Sequence, residues 1–255
     1  MKIGVCCGER EFNAAGRSGF AYVEMSAQTV RNLDAEALKA LRERAFSEGL
    51  TIDGFNGFFS GEVSLYDDPL EKITAYAEKN FYAARELGAS YCVVGSGRNR
   101  FVPEGMDKKD AEAKFMEIMD GIGDKAGQYG VQVILEPLRY AETNLLNTLS
   151  EGIAFCRAVG NPNVSCLVDF YHFFMNGESY DIFDTLRPGE ITHVHLARPN
   201  QDRVYPKKED APVLEQWAGL LRKIKYDRRI SLECNWAGGF EAGALEAYPN
   251  VSMFM

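Results

Sequence analysis

Eight short apolar runs, spread along the whole chain, constrain the fold more than any other feature of the sequence. They are Lys2–Cys6, Ala21–Met25, Thr51–Phe55, Tyr91–Gly95, Val131–Glu136, Val164–Phe170, Ile191–Leu196 and Arg229–Cys234. Each is rich in Val, Ile or aromatic residues, is short, and is bounded by turn formers, which is the pattern of a buried strand. Between most of them lie segments with apolar residues at helical spacing. Asp34–Gly49 opens on a capping aspartate and stops at glycine. Pro69–Leu87, Lys108–Tyr129 and Ser150–Val159 each run up to a glycine, and Pro212–Ile224 opens on proline. Gly8–Gly19 reads as loop, Asn176–Leu186 as a short marginal helix, and the segment after Cys234 as too short for a full final helix.

Strands alternating with crossover helices build a parallel sheet. Eight such units in 255 residues predict a single (β/α)8 TIM barrel over residues 1–255, α/β in class, with a short or incomplete final helix. An open α/β sheet with fewer strands is the alternative. A chain of this length buries enough surface to fold without disulfides. Its six cysteines, at positions 6, 7, 92, 156, 166 and 234, contain no C-x-x-C pair and fall largely in the apolar runs. They read as reduced core thiols of a cytoplasmic protein. No apolar stretch is long enough to span a membrane, and the N-terminus does not read as a signal peptide. The net charge of −9, from 37 acidic and 28 basic residues, disfavours nucleic acid and anionic membranes as partners.

In a barrel of this kind catalysis sits at the C-terminal ends of the strands. Four consecutive runs finish on a carboxylate or an imidazole: Leu135-Glu136-Pro137, Val168-Asp169-Phe170, His193-Val194-His195 and Leu232-Glu233-Cys234. Side chains alternate along a strand, so Ile134, Leu167, His193 and Ser231 should point inward beneath these groups. Three bare carboxylates at one mouth would repel and raise each other's pKa. A divalent cation resolves the conflict. Three oxygen ligands and one nitrogen suit Mn²⁺, Co²⁺, Mg²⁺ or Zn²⁺, not a thiolate-selective metal. Glu136, Asp169, His195 and Glu233 are therefore the candidate ligands of one ion, and His193 is read as packing behind His195 rather than as a ligand.

Several secondary candidates follow from position. Gly95-Ser96-Gly97 lacks the third glycine and immediate helix of a dinucleotide fingerprint and reads as a pocket-wall loop. Glu24, ending the second run, is a candidate for a substrate hydroxyl. Phe55, Phe58, Phe59 and Trp236 are candidates for an apolar pocket wall, with ordinary packing as the alternative.

The stretch Glu136-Pro137-Leu138, Glu142, Leu146-Asn147-Thr148, then Asp169-x-x-His172, His193-x-His195 and Glu233, resembles the sugar phosphate isomerase/epimerase superfamily. This is the xylose isomerase-like barrel group that includes the ketose 3-epimerases. Gly95-Ser96-Gly97, Arg100, Pro103 and Gly105 are similar to another stretch common there. The resemblance implies that Glu136, Asp169, His195 and Glu233 hold the metal and that Glu136 and Glu233 also move the substrate proton. It implies substrate contacts for His172 and Glu142. The family's arginine normally follows the last histidine by six residues; position 201 is Gln here, leaving Arg198 and Arg203 as candidates.

The implied activity is a divalent-metal-dependent epimerase or isomerase acting on a small-molecule sugar or sugar phosphate, through proton transfer beside a carbonyl and an enediolate. A keto-polyol dehydratase of the same barrel, or a sugar-binding barrel without turnover, are the alternatives, and a homo-oligomer is left open. A trinuclear-zinc nuclease is disfavoured, because it needs many histidines and this acidic chain has three.

Overall fold

The computed structural model describes residues 1–255. Its eight strands are β1 Lys2–Cys6, β2 Tyr22–Ser26, β3 Thr51–Asn56, β4 Tyr91–Val94, β5 Gln132–Leu135, β6 Val164–Asp169, β7 Ile191–Leu196 and β8 Arg229–Leu232. They pair in chain order, all parallel, and β8 returns to β1 to close the barrel. The predicted closed architecture is the one found, and the open sheet is excluded.

Two cores result. The larger lies between the outer face of the barrel and the helices. The smaller fills the barrel with Tyr91, Val93, Ile134 and Leu167. Ile134 and Leu167 thus point inward, as strand alternation requires. Tyr91 reaches across the barrel because β3 offers Gly54 opposite it: a Cβ there would sit 2.1 Å from the Tyr91 ring.

The long helices form where capping and periodicity place them. Asp34 accepts from the Ala37 backbone N–H ahead of Ala35–Ser47, and Asp107 from Lys109 and Asp110 ahead of Lys108–Tyr129. Leu149–Val159 opens on a capping box in which Thr148 and Glu151 each accept from the other's backbone N–H. Gly88, Gly130 and Gly160 end three helices in left-handed conformation.

Three expectations are corrected. Gly8–Gly19 is not loop: it carries the helix Phe12–Ser18 after a 3-10 turn. The C-terminal segment forms a complete 13-residue helix, Phe240–Ser252. These two helices pack on each other across the join between the chain's ends, with the Phe20 and Tyr248 rings 5.2 Å apart, edge to face. Asn176–Leu186 holds only a 3-10 turn, Tyr180–Asp184; the helix of that unit comes earlier, at Phe170–Met175. No helix is long and apolar enough to cross a membrane.

Candidate metal centre at the barrel mouth

Four neighbouring strand ends deliver the predicted ligands to one place. Glu136 follows β5 directly; Pro137 then removes a ladder N–H and turns the chain away. The Glu136 carbonyl is held by Arg100 Nη2 at 2.9 Å. Asp169 ends β6 and caps Phe170–Met175, its Oδ1 accepting from the Tyr171 N–H at 2.8 Å, which leaves Oδ2 for the mouth. His195 lies within β7, and Glu233 follows β8 with its N–H donated to the Leu196 carbonyl. One donor atom from each of the four residues lies within 4.8 Å of every other.

The ring of His195 fixes the geometry. Its Nδ1 is 2.9 Å from Glu136 Oε1 and 3.2 Å from Glu233 Oε2. Its Nε2 faces the opposite way, 2.9 Å from Glu24 Oε1. Asn56, at the end of β3, donates to Glu233 Oε1 at 3.1 Å. Three carboxylates and one imidazole nitrogen within this radius fit a hard or borderline divalent ion.

The two glutamates sit in unlike fields. Burial, with the Glu233 charge beside it, pushes Glu136 up to about 7. Burial also acts to raise Glu233, but the Arg203 guanidinium and His195 outweigh it and hold that carboxyl well below the usual range. Environments that push paired carboxylates apart are what acid–base assignments rest on.

Of the two candidate arginines only Arg203 enters the site, bonding Asp169 Oδ2 at 2.7 Å and also Glu233. Arg198 turns away and pairs with Glu209 and Asp210, at 2.9 and 3.1 Å, so it is not a contact of this centre. His172 is buried with its Nε2 3.4 Å from Asp169 Oδ2, and neither ring nitrogen has a hydrogen-bond partner. Glu142 is tied to Arg139, whose Nε donates to it at 2.7 Å.

Glu24 is corrected: it is fully buried among His193, His195, Tyr91 and Ser231, out of reach of a substrate hydroxyl. Phe55, Phe58 and Phe59 are core, Phe59 stacking on Tyr76, and Trp236 packs on Tyr205 and Phe240. Gly95 lies against the Glu136 carboxylate, where a Cβ would stand 2.2 Å from Oε2.

Three site residues escaped the sequence reading. Asn56 was visible only as the polar residue just past the third apolar run. Arg139 and Tyr171 lie beside singled-out residues. The Tyr171 ring has the Arg139 and Arg203 guanidinium carbons 5.3 and 4.9 Å from its centroid, and its buried hydroxyl has no partner.

Comparison with known proteins agrees with this geometry. A D-psicose 3-epimerase of Agrobacterium fabrum is 26% identical over 222 residues, 84% of this chain and 75% of that one. An L-ribulose 3-epimerase of a Methylomonas species is 26% identical over 229 residues, covering 86% and 75%. A crystal structure of a D-psicose 3-epimerase determined in the presence of D-fructose superposes with a TM-score of 0.85 at 21% identity, over 99% of this chain and 98% of that one. The family description "xylose isomerase-like TIM barrel" matches residues 12–249. Strand order, strand-end chemistry and this match agree: the chain belongs to the xylose isomerase-like TIM barrel family.

Proposed function

We propose that the protein is a divalent-metal-dependent sugar epimerase or isomerase that moves a proton beside a ketose carbonyl. The observation that carries the reading is the convergence of Glu136, Asp169, His195 and Glu233 donor atoms within 4.8 Å at the C-terminal mouth of the barrel. The relatives named as D-psicose and L-ribulose 3-epimerases support a ketose as substrate.

When bound, the ion supplies the positive charge that lowers the energy of an enediolate. The residues do the rest. Glu136, after β5, and Glu233, after β8, approach the mouth from different sides, so one accepts the proton and the other returns one. Return to the same carbon from the opposite face inverts it, and return to the neighbouring carbon isomerises the sugar. The ring nitrogens of His172 and the hydroxyl of Tyr171 are buried without a partner, which costs about 1–3 kcal/mol each, and we assign His172, beside Asp169, to the substrate grip. Arg203 and Glu142 complete the substrate grip.

The test is incubation of D-psicose, D-fructose, L-ribulose and ketose phosphates in D₂O with added Mn²⁺ or Co²⁺, followed by chelator quench and NMR. Deuterium beside the carbonyl together with an inverted carbon is expected. Exchange with loss of water would make the enzyme a dehydratase. Saturable sugar binding without any turnover would leave a binding protein. Full activity in both Glu136→Gln and Glu233→Gln would end the two-base mechanism.

A further inference from the structure

The most completely bonded carboxylate in the barrel belongs to no part of the proposed chemistry. Glu24 points from β2 into the sealed interior, with no exposed surface. Its Oε2 meets three groups at once: the Tyr91 hydroxyl at 2.9 Å, the Ser231 hydroxyl at 2.8 Å and His193 Nε2 at 2.9 Å. Its Oε1 meets one, His195 Nε2 at 2.9 Å. Tyr22 extends the network, its hydroxyl 3.0 Å from Ser231 Oγ. A buried carboxylate is costly unless charged hydrogen bonds satisfy it, and three other strands contribute residues to satisfy this one: β4, β7 and β8.

We infer that Glu24 is a positioning residue for the metal centre: it takes the Nε2 hydrogen of His195 and so commits that ring to present Nδ1 to the ion. The inference rests on the metal reading of the site. An ionised carboxylate only accepts. With Oε2 occupied by three groups, the free acceptor is Oε1, and His195 Nε2 is the atom it faces. An imidazole whose Nε2 carries the hydrogen keeps its Nδ1 lone pair, and Nδ1 is the atom between Glu136 and Glu233. The same contact fixes the ring plane. Carboxylates behind metal-bound histidines act in this way, and their loss typically costs about 10–100-fold in metal affinity.

Glu24→Gln separates this role from simple packing. Where three groups converge on Oε2, the two hydroxyls and His193, the position demands an oxygen, so the amide nitrogen must face His195. An amide N–H there needs an acceptor, which forces the His195 hydrogen onto Nδ1, where the ion would sit. The group Cys6, Glu24 and His195 also lies within metal-ligand reach, which makes a second ion the competing role for Glu24. The Glu24 oxygens are already engaged by four protein groups, against that role.

The experiment titrates Co²⁺ into metal-free protein and follows its d–d absorption. It adds long-range ¹H–¹⁵N NMR of the histidines in the Zn²⁺-loaded wild type. One equivalent of Co²⁺ in the wild type, a 10–100-fold weaker and spectrally altered Co²⁺ complex in Glu24→Gln, and a retained His195 Nε2–H in the Zn²⁺ form are expected. No Co²⁺ binding by the wild type would overturn the metal reading and this inference with it. Wild-type binding matched by Glu24→Gln in affinity and spectrum would overturn the inference alone. If Glu24→Gln does not fold, the wild-type NMR decides: metal on Nε2 with the hydrogen on Nδ1 refutes the role. Two equivalents with a Glu24 ligand would refute it as well.

Discussion

Adding one methyl group at Gly95 tests whether the position of the Glu136 carboxylate governs turnover. Gly95 immediately follows β4, and a Cβ built there stands 2.2 Å from Glu136 Oε2, 3.4 Å from its Cδ and 3.9 Å from its Cβ. Ordinary contact requires about 3.5 Å, so the carboxylate must retreat by roughly 1 Å. It cannot swing freely, because Oε1 is engaged by His195 and the Glu136 backbone carbonyl by Arg100. The Glu136 residue is also almost wholly buried, at 4% exposure. A displacement of about 1 Å in a catalytic group costs on the order of 10²-fold, or about 2.7 kcal/mol of transition-state stabilisation. Gly95→Ala should therefore lower kcat about 100-fold and weaken the metal complex, with the far-UV circular dichroism unchanged. The assay is the D₂O exchange reaction alongside Co²⁺ titration. Wild-type kcat and Co²⁺ affinity in a folded Gly95→Ala protein would refute the claim that this glycine exists to seat Glu136.

The two arginines give a paired contrast. Arg203→Ala should cost about 10²-fold in kcat/KM, because its guanidinium reaches Asp169 and Glu233, whereas Arg198→Ala should stay within about twofold, its partners being the exposed Glu209 and the buried Asp210, neither of them part of the centre; the reverse ranking would show that the family's arginine was assigned to the wrong residue. Glu178 supplies a pH test. Burial pushes its carboxyl up from 4.5 to about 7, so between these values the native state holds a proton that the unfolded chain has lost, and stability falls as pH rises through that window. The cost above pH 7 is at most about 3 kcal/mol, reduced to about 1–2 kcal/mol by partial exposure. Glu178→Gln keeps an oxygen for the Leu149 N–H, which now donates to Glu178 Oε2 at 2.7 Å. It should raise Tm by about 2–6 °C at pH 8 and leave it unchanged at pH 4.5, by scanning calorimetry; an equal shift at both pH values would exclude the titration.

Strand count, strand order and the four convergent donors were legible in the sequence because each rests on a local signal. Buried parallel strands write near-continuous apolar runs, and the residue ending such a run must lie at the barrel mouth. Local signals fail where an element exists only through its neighbour. The helix Phe12–Ser18 has too few apolar positions to show a period; Phe12 and Ala15 bury fully because Phe240–Ser252 packs on it, and each helix is unreadable without the other. The choice between Arg198 and Arg203 likewise depended on how the loop after β7 folds back: the Arg203 carbonyl accepts from the Asn235 N–H beyond β8, and this tether brings its side chain to Asp169 and Glu233.

Glu24 marks the deepest division between the two sources. Its place at the end of an apolar run suggested the open mouth. Strand alternation set only that it faces inward, and barrel closure decided which groups meet it there. Tyr91 from β4, His193 and His195 from β7 and Ser231 from β8 converge on one carboxylate although 67 to 207 positions separate them from it in the chain. The sequence by itself determined what chemistry the strand ends carry. The tertiary structure decided which side chains face one another across the barrel, because in a closed sheet those partners come from distant strands and leave no periodic trace in either.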